Sequence, residues 1–350
     1  MKLSEWASSQ APKVRDSLAG VDRALLLYPP TPDGIASNVI VGEIISQLGV
    51  DVREQPITPE LMIEVIPYNI DVVDSVVFVD TLPNGPGLLK LAINEFRSVI
   101  VFDHGGLPYE IPPVVRINPF EPGVSTSLIS YLISVALNGE NEILSWISVA
   151  GFYGECSSPV CEEVKKEAQL FWPDLTDDQI SLLQDSLIAA SYLGEDWIQI
   201  ASAALQESYD DPSWFLTGNS ATSSVIKSRI EEVKSKIKET LSERPLSFSG
   251  LLAWEVDEPF RRDVISLITH SELGIPTAAF HVNDPLGLVS IRFDHRIDPL
   301  NDIRSALSGV EHSFYGGWGF LSMIVDSAHL EFALNTVSKI LRESSGGSIR

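Results

Sequence analysis

Ser98-Val-Ile-Val-Phe-Asp-His-Gly105 decides how the rest of this sequence is read. Four consecutive apolar residues end in an acid, a histidine and a glycine. A strand buried on both faces delivers polar groups to the carboxyl edge of a parallel sheet in this way. Two more stretches repeat the pattern: Ala24-Leu-Leu-Leu-Tyr28 runs through Pro-Pro-Thr-Pro into Asp33-Gly34, and Val76-Val-Phe-Val79 runs into Asp80-Thr81. Three such strands place Asp33, Asp80 and Asp103 together at one rim, a carboxylate cluster suited to hard cations such as Mg or Mn.

Working outward, residues 1–20 read as an N-terminal helix or arm, and Gly34 opens a helix over Ile35–Leu48. A strand is expected around Val50–Val52. A helix follows over Pro59–Ile66 with Thr58 as its cap, then a crossover helix over Pro86–Phe96 and a short strand at Val114–Ile117. Strands alternating with helices argue for a parallel α/β sheet. From about residue 125 to 215 the texture becomes helical, with periods over Thr126–Leu137, Ile143–Phe152, Val160–Phe171, Thr176–Tyr192 and Trp197–Leu205. Residues 210–213 and 217–222 read as loops. Val225, Ile226, Ile230, Val233, Ile237 and Leu241 recur at helical steps, so residues 222–244 read as one long amphipathic linker helix. Beyond Pro245 a smaller α/β region is expected: a strand at Leu246–Trp254, a helix at Arg261–Ser271, and a hairpin of Thr277–Val282 with Leu288–Phe293. A helix at Leu300–Leu307, a turn at Gly316–Gly319, terminal helices through Leu341 and a tail over residues 344–350 complete it. The expected division is residues 1–221, the 222–244 linker and residues 245–350.

The 350 residues, 44% hydrophobic and 21% charged, are those of an ordinary globular protein long enough for two cores. The formal charge of −24 repels phosphate backbones over most of the surface, so nucleic acid could be met only in a local groove. Between residues 117 and 226 the only basic residues are Lys165 and Lys166, against sixteen acids. Two cysteines, Cys156 and Cys161, lack a companion histidine for zinc and read as buried thiols of a reducing compartment. With no cationic leader and no long apolar run, the expected location is the cytoplasm.

The order of these signals resembles the DHH/DHHA1 phosphoesterases, the RecJ group in particular: Asp-Gly-Ile-Ala-Ser after a first strand, Asp after a second, Asp-His after a third, a helical middle, then a C-terminal part with Arg and Gly-Gly elements. That resemblance implies a parallel-sheet DHH domain with a helical block, and a smaller DHHA1-like α/β domain. Against the family's His-x-Asp-x-Asp-Gly motif, Pro29 stands at the histidine and Thr31 at the first aspartate. Asp33 and Asp80 match, Asp103 and His104 are retained, and Gly105 replaces the second histidine. Glu155 falls at the fourth acidic motif. Ser290-Ile-Arg292 resembles a phosphate-binding Ser-x-Arg element, while Gly316-Gly317-Trp318 replaces Gly-Gly-His.

A two-metal phosphoesterase holds its ions about 3.5–4 Å apart with several protein ligands each. The departures therefore imply a catalytically degenerate member, a remnant metal site of Asp33, Asp80, Asp103, His104 and Glu155, and at most one weakly held Mg or Mn. A RecJ-like chain of this kind is similar to the cell-division-cycle replication factor that joins the MCM ring and the GINS tetramer in the replicative helicase, in its compact archaeal form. GINS and MCM are the implied partners. A weak single-stranded DNA contact is implied at Arg292, Gly316, Gly317 and Trp318, in a cytoplasmic, nucleoid-associated protein.

Each reading has a structural alternative. The three aspartates can cap helices, His104 can be a satisfied core histidine, Arg292 can form a surface ion pair, and Trp318 can pack in a core. The acidic block can be plain solvated surface, or a docking face through Asp177, Asp178 and Asp185 with Trp172, Trp197 and Trp214 as anchors. Retention of Asp33, Asp80, Asp103 and His104 keeps a metal-dependent exonuclease or oligonucleotide phosphoesterase open as the second function class.

Overall fold

The computed structural model describes residues 2–58, 61–83, 86–105 and 112–345. It divides into two units, the first reaching Ile230 and the second running on from Glu231.

The first unit contains α1 (Leu3–Ser17), β1 (Arg23–Tyr28), α2 (Pro32–Gln47), β2 (Asp51–Pro56), α3 (Met62–Asn69), β3 (Ser75–Val79), α4 (Pro86–Glu95), β4 (Ser98–Phe102) and β5 (Val115–Ile117). The five strands form one parallel sheet in the order β2-β1-β3-β4-β5. The apolar runs of the sequence become its centre because alternate side chains are needed on both faces. Ala24, Leu26, Val77, Val79, Ile100 and Phe102 join the core beneath α1 and α2, whereas Leu25, Leu27, Val76, Phe78, Val99 and Val101 face α3 and α4. Strand order reverses between β1 and β3, the switch point outside whose carboxyl ends open α/β sheets bind ligands.

The helical block follows as α5 (Thr126–Leu137), a 3-10 turn (Gly139–Leu144), α6 (Ser145–Gly151), α7 (Pro159–Phe171), α8 (Asp177–Leu193), α9 (Glu195–Glu207), α10 (Pro212–Thr217) and α11 (Ala221–Lys227). The expected loop 210–213 is the start of α10, and the expected loop 217–222 narrows to the residues between α10 and α11, which takes up the first part of the expected linker helix. Polar residues of both segments are helix caps: Asp211 accepts the Ser213 amide at 2.8 Å and Ser220 accepts that of Ser223 at 3.1 Å. The single linker helix expected over 222–244 is interrupted after Lys227, whose ammonium bonds the Leu216 carbonyl, and α12 (Ile230–Ser242) starts afresh. The expected helix start at Pro59 lies outside the described residues. Thr58 is not a side-chain cap, since α3 begins at Met62 without one. The expectation of two free thiols is also corrected. The turn between α6 and α7 brings the Cα atoms of Cys156 and Cys161 to 6.3 Å, inside the roughly 4.4–6.8 Å that a bridge requires, and their sulfurs are bonded.

The second unit continues α12 with β6 (Leu246–Phe248), β7 (Leu251–Glu255), α13 (Arg261–Leu273), β8 (Thr277–Asn283), β9 (Leu286–Arg292), α14 (Leu300–Leu307), β10 (Glu311–Gly317), β11 (Phe320–Asp326) and α15 (Leu330–Ser344). Its six-stranded sheet runs β10-β11-β9-β8-β7-β6, with β7 and β8 parallel around the α13 crossover and the other pairs antiparallel. The segment read as a turn and terminal helices is a hairpin, β10 to β11, before α15. Phe320–Val325, apolar but for Ser322, is a run too short for periodicity alone to assign to helix or strand. Residues 346–350 of the expected tail lie outside the described residues. Among the described helices none is long and apolar enough to cross a membrane.

Candidate functional site

Thr31 caps α2 by accepting the Gly34 amide at 2.9 Å, and Pro32 occupies the first turn, where its missing N–H costs nothing. Asp33 is therefore inside the helix rather than in a loop before it. Gly34 is required by space: a Cβ there would lie 2.8 Å from the Pro29 ring and closer still to the Pro29 carbonyl. The buried Asp33 carboxylate reaches across to α5, accepting the Thr126 amide at 2.7 Å and the Ser127 amide at 2.8 Å. Ser125 accepts the Leu128 amide at 3.2 Å. Together they occupy three of the N–H groups that a helix start leaves unsatisfied, and the anion meets the positive end of the helix.

Asp80 follows β3 with φ 53°, an uncommon backbone state for a residue with a side chain. Its amide donates to the Phe102 carbonyl at 2.7 Å, which locks the turn to β4. One carboxylate oxygen accepts the Thr126 hydroxyl at 2.7 Å and pairs with His104 Nδ1 at 3.0 Å; the other accepts the Thr31 hydroxyl at 3.5 Å. His104 Nδ1 is also 2.9 Å from Thr126 Oγ1 and 3.9 Å from Asp33.

Burial opposes a charge on His104, but the hydrogen bond to Asp80 and the charges of Asp80, Glu155 and Asp33 outweigh it and raise its pKa to about 9. Burial, then the negative charges of Asp80 and Glu155, hold Asp33 well above the usual carboxylate range. Glu155, in the turn after α6, thus acts on this cluster through its field.

Asp103 does not join it. Successive residues leaving β4 point to opposite faces, so His104 turns toward Asp80 while Asp103 turns toward β5. There Arg116 grips both carboxylate oxygens at 2.8 and 2.5 Å, and Asn118 donates at 3.1 Å. The expected three-aspartate rim is corrected to Asp33, Asp80 and His104. Among the described residues these form the group that could hold a cation, with ligand atoms within 4.8 Å of one another. Two carboxylates and an imidazole fit one hard or borderline ion. Each of the four carboxylate oxygens nevertheless already accepts a protein hydrogen, and no second such group is found among the described residues.

In the second unit Arg292 ends β9, with its guanidinium 5.3 Å from the Phe320 ring centroid, and Ser290 Oγ lies 3.0 Å from Ser266 Oγ. Gly316 and Gly317 are strand residues paired with Leu321 and Phe320, so no helix N-terminus follows them for a phosphate. Gly316 is a packing requirement, since a Cβ would lie 2.8 Å from Leu300. Trp318 is half-buried in the hairpin turn. The Arg296 guanidinium pairs with Asp294 and holds its carboxyl down at about 2.

Of the acidic block, Asp177 and Asp178 are exposed in the first turn of α8, Asp177 lying 3.0 Å from Lys165; Asp185 is half-buried. Trp172 and Trp197 are half-buried against the first core, Trp197 beneath Arg229, whereas Trp214 is 53% exposed. Thr126, Ser127, Arg116 and Asn118 hold the acids in place without having stood out in the sequence. The Ser125-Thr-Ser run carries a helix-start signal, but its partner Asp33, 93 positions before Thr126 and 94 before Ser127, leaves no local trace.

Known structures share this architecture. RecJ from Thermus thermophilus in complex with Mn2+ matches with a TM-score of 0.64 at 15% identity, over 97% of this chain and 55% of RecJ. The chain has the RecJ-type DHH fold. It spans about half the length of that RecJ. The DHH domain of a member of a family of ribosomal proteins matches with a TM-score of 0.66 at 13% identity, over 97% of this chain and 92% of that one. CDC45 from Entamoeba histolytica matches with a TM-score of 0.51 at 10% identity over 95% and 99% of the two chains. No protein-family model and no curated protein matches the sequence.

Proposed function

We propose that this chain is a non-catalytic subunit of an archaeal DNA-replication assembly, bridging the GINS complex and the MCM helicase, with a weak single-stranded DNA contact through Arg292. The observation that carries the reading is the use made of Asp33. In a RecJ-type fold it is a ligand position, yet here both its oxygens hold the first turn of α5, while Pro29, Thr31, Gly105 and Trp318 stand where the family's motifs place acids and histidines. The shared fold with CDC45 supports a replication role. Affinity for a basic partner would come from the acidic helical block, the field of Asp177, Asp178 and their neighbours speeding encounter and exposed Trp214 supplying an anchor.

The test is co-purification of the tagged full chain with GINS and MCM from native extract. Asp177→Lys, Asp178→Lys and Asp185→Lys together should lower recovery without unfolding, and rising salt should do the same. Recovery that survives these changes but is lost on altering the second unit would move the docking face beyond Pro245.

A residual metal-dependent exonuclease or oligonucleotide phosphoesterase is the second reading, favoured by the approach of Asp33, Asp80 and His104. A bound Mg or Mn would supply Lewis-acid stabilisation of a phosphoryl oxygen. Mn-dependent degradation of a single-stranded oligonucleotide, abolished by Asp80→Ala, would establish this reading against the first.

A further inference from the structure

We propose that Cys156 and Cys161 form a reversible dithiol/disulfide site whose bonded state holds the Glu155 turn against the start of α5. The bond joins the turn after α6 to the first turn of α7. Between the two cysteines the chain is pinned to a neighbouring segment: the Ser157 and Ser158 amides donate to the Gly123 carbonyl at 2.9 and 2.8 Å, and Ser158 caps α7. Gly123 has φ 74°, and a Cβ there would collide with Ser157 Oγ, so the two segments meet backbone to backbone.

Two residues beyond Gly123, Ser125 caps α5, whose first amides hold Asp33. The Glu155 amide donates to the Phe152 carbonyl at 3.1 Å, immediately before the bridged Cys156. A covalent tie between 156 and 161 therefore closes a short loop whose middle, Ser157 and Ser158, is hydrogen-bonded to the segment that leads into α5.

Access is asymmetric. Cys161 is 5% exposed, while Cys156 is only partly covered. A small thiolate would attack Cys156 Sγ, forming a mixed disulfide and expelling Cys161 as thiolate. A second thiolate attacks the external sulfur and releases Cys156. The protein disulfide gains two electrons and two protons, and two small thiols become one small disulfide. The reverse uses a small disulfide as oxidant.

The test uses the full chain in dithiothreitol or in its oxidised form, reading alkylated thiols by intact mass and backbone hydrogen exchange by peptide mass. The bonded state should take up no alkyl group and the reduced state two. On reduction, exchange should rise about tenfold over 153–158 and 123–127, with the second unit unchanged as an internal control. Cys156→Ser should show the fast pattern in both buffers; if that variant fails to fold, the wild-type comparison alone decides. Two reactive thiols under oxidising conditions would overturn the site, and a bridge that forms without altering exchange at these segments would overturn the coupling. Both outcomes are independent of whether the protein is an assembly factor.

Discussion

Asp33 and Asp103 were equivalent letters in the sequence and do different work in the fold. Removing the Asp33 side chain leaves two buried amides without their acceptor, so Asp33→Ala is expected to cost roughly 2–4 kcal/mol in urea unfolding, with Asp33→Asn costing less. A residue serving only as a metal ligand would leave the metal-free protein's stability unchanged. Arg116→Ala leaves the Asp103 carboxylate buried without its bidentate partner, and about 3–5 kcal/mol should be lost. Asp103→Asn in that background should restore part of it.

His270 gives a pH test in the second unit. Burial first, then the Arg292 and His295 charges, lower its pKa, against a hydrogen bond donated to the Ile275 carbonyl at 2.7 Å. Below an unfolded value of about 6.5 the unfolded chain binds the proton first. Stability is therefore full above that pH and falls as pH drops toward the lowered folded value. His270→Asn should flatten the decline in denaturant midpoints measured from pH 7.5 to 5.

Among the elements, α5 is the hub: its start is held by Asp33, Ser125 and Asp80, and its flank lies beside α6 at Gly151. A Cβ on Gly151 would come within 2.6 Å of Ser127 Oγ and 2.8 Å of the Ala36 Cβ. Alanine in a helix gains up to about 1 kcal/mol over glycine. Forcing a methyl between closely packed helices costs typically about 1–3 kcal/mol. The clash should prevail, so Gly151→Ala is expected to lower the unfolding midpoint. An unchanged or raised midpoint would mean that α6 can shift away from α2 and α5 without loss.

For the whole molecule, the −24 charge sets the expected salt response. Binding of a basic partner to the acidic block should slow chiefly in association rate as ionic strength rises past the roughly 10 Å screening length at 0.1 M. The charge reversals with the largest effect should be Asp174 and Asp178, which are exposed. Asp177 is already next to Lys165 and Asp185 is half-buried. Stopped-flow association at several salt concentrations would show this ranking.

The parallel sheet was legible in the residues, because strands buried on both faces must be written as unbroken apolar runs, and Ala24–Tyr28, Val76–Val79 and Val99–Phe102 are such runs. The longer helices of the block, α5 to α9, were equally legible from their periodicity, as were the β8–β9 hairpin and α13, whereas α10 was hidden because its capping residues read as a loop. Tertiary structure decided what periodicity cannot encode. Which polar residues meet depends on pairings such as Asp33 with Thr126 and Asp80 with His104, separated by tens of residues. The opposite fates of Asp103 and His104 depend on which way each side chain leaves the strand end. Likewise Gly316 and Gly317, residues that mark turns in a sequence, lie in a strand through their pairing with Leu321 and Phe320, and at Gly316 the approach of Leu300 leaves no room for a side chain.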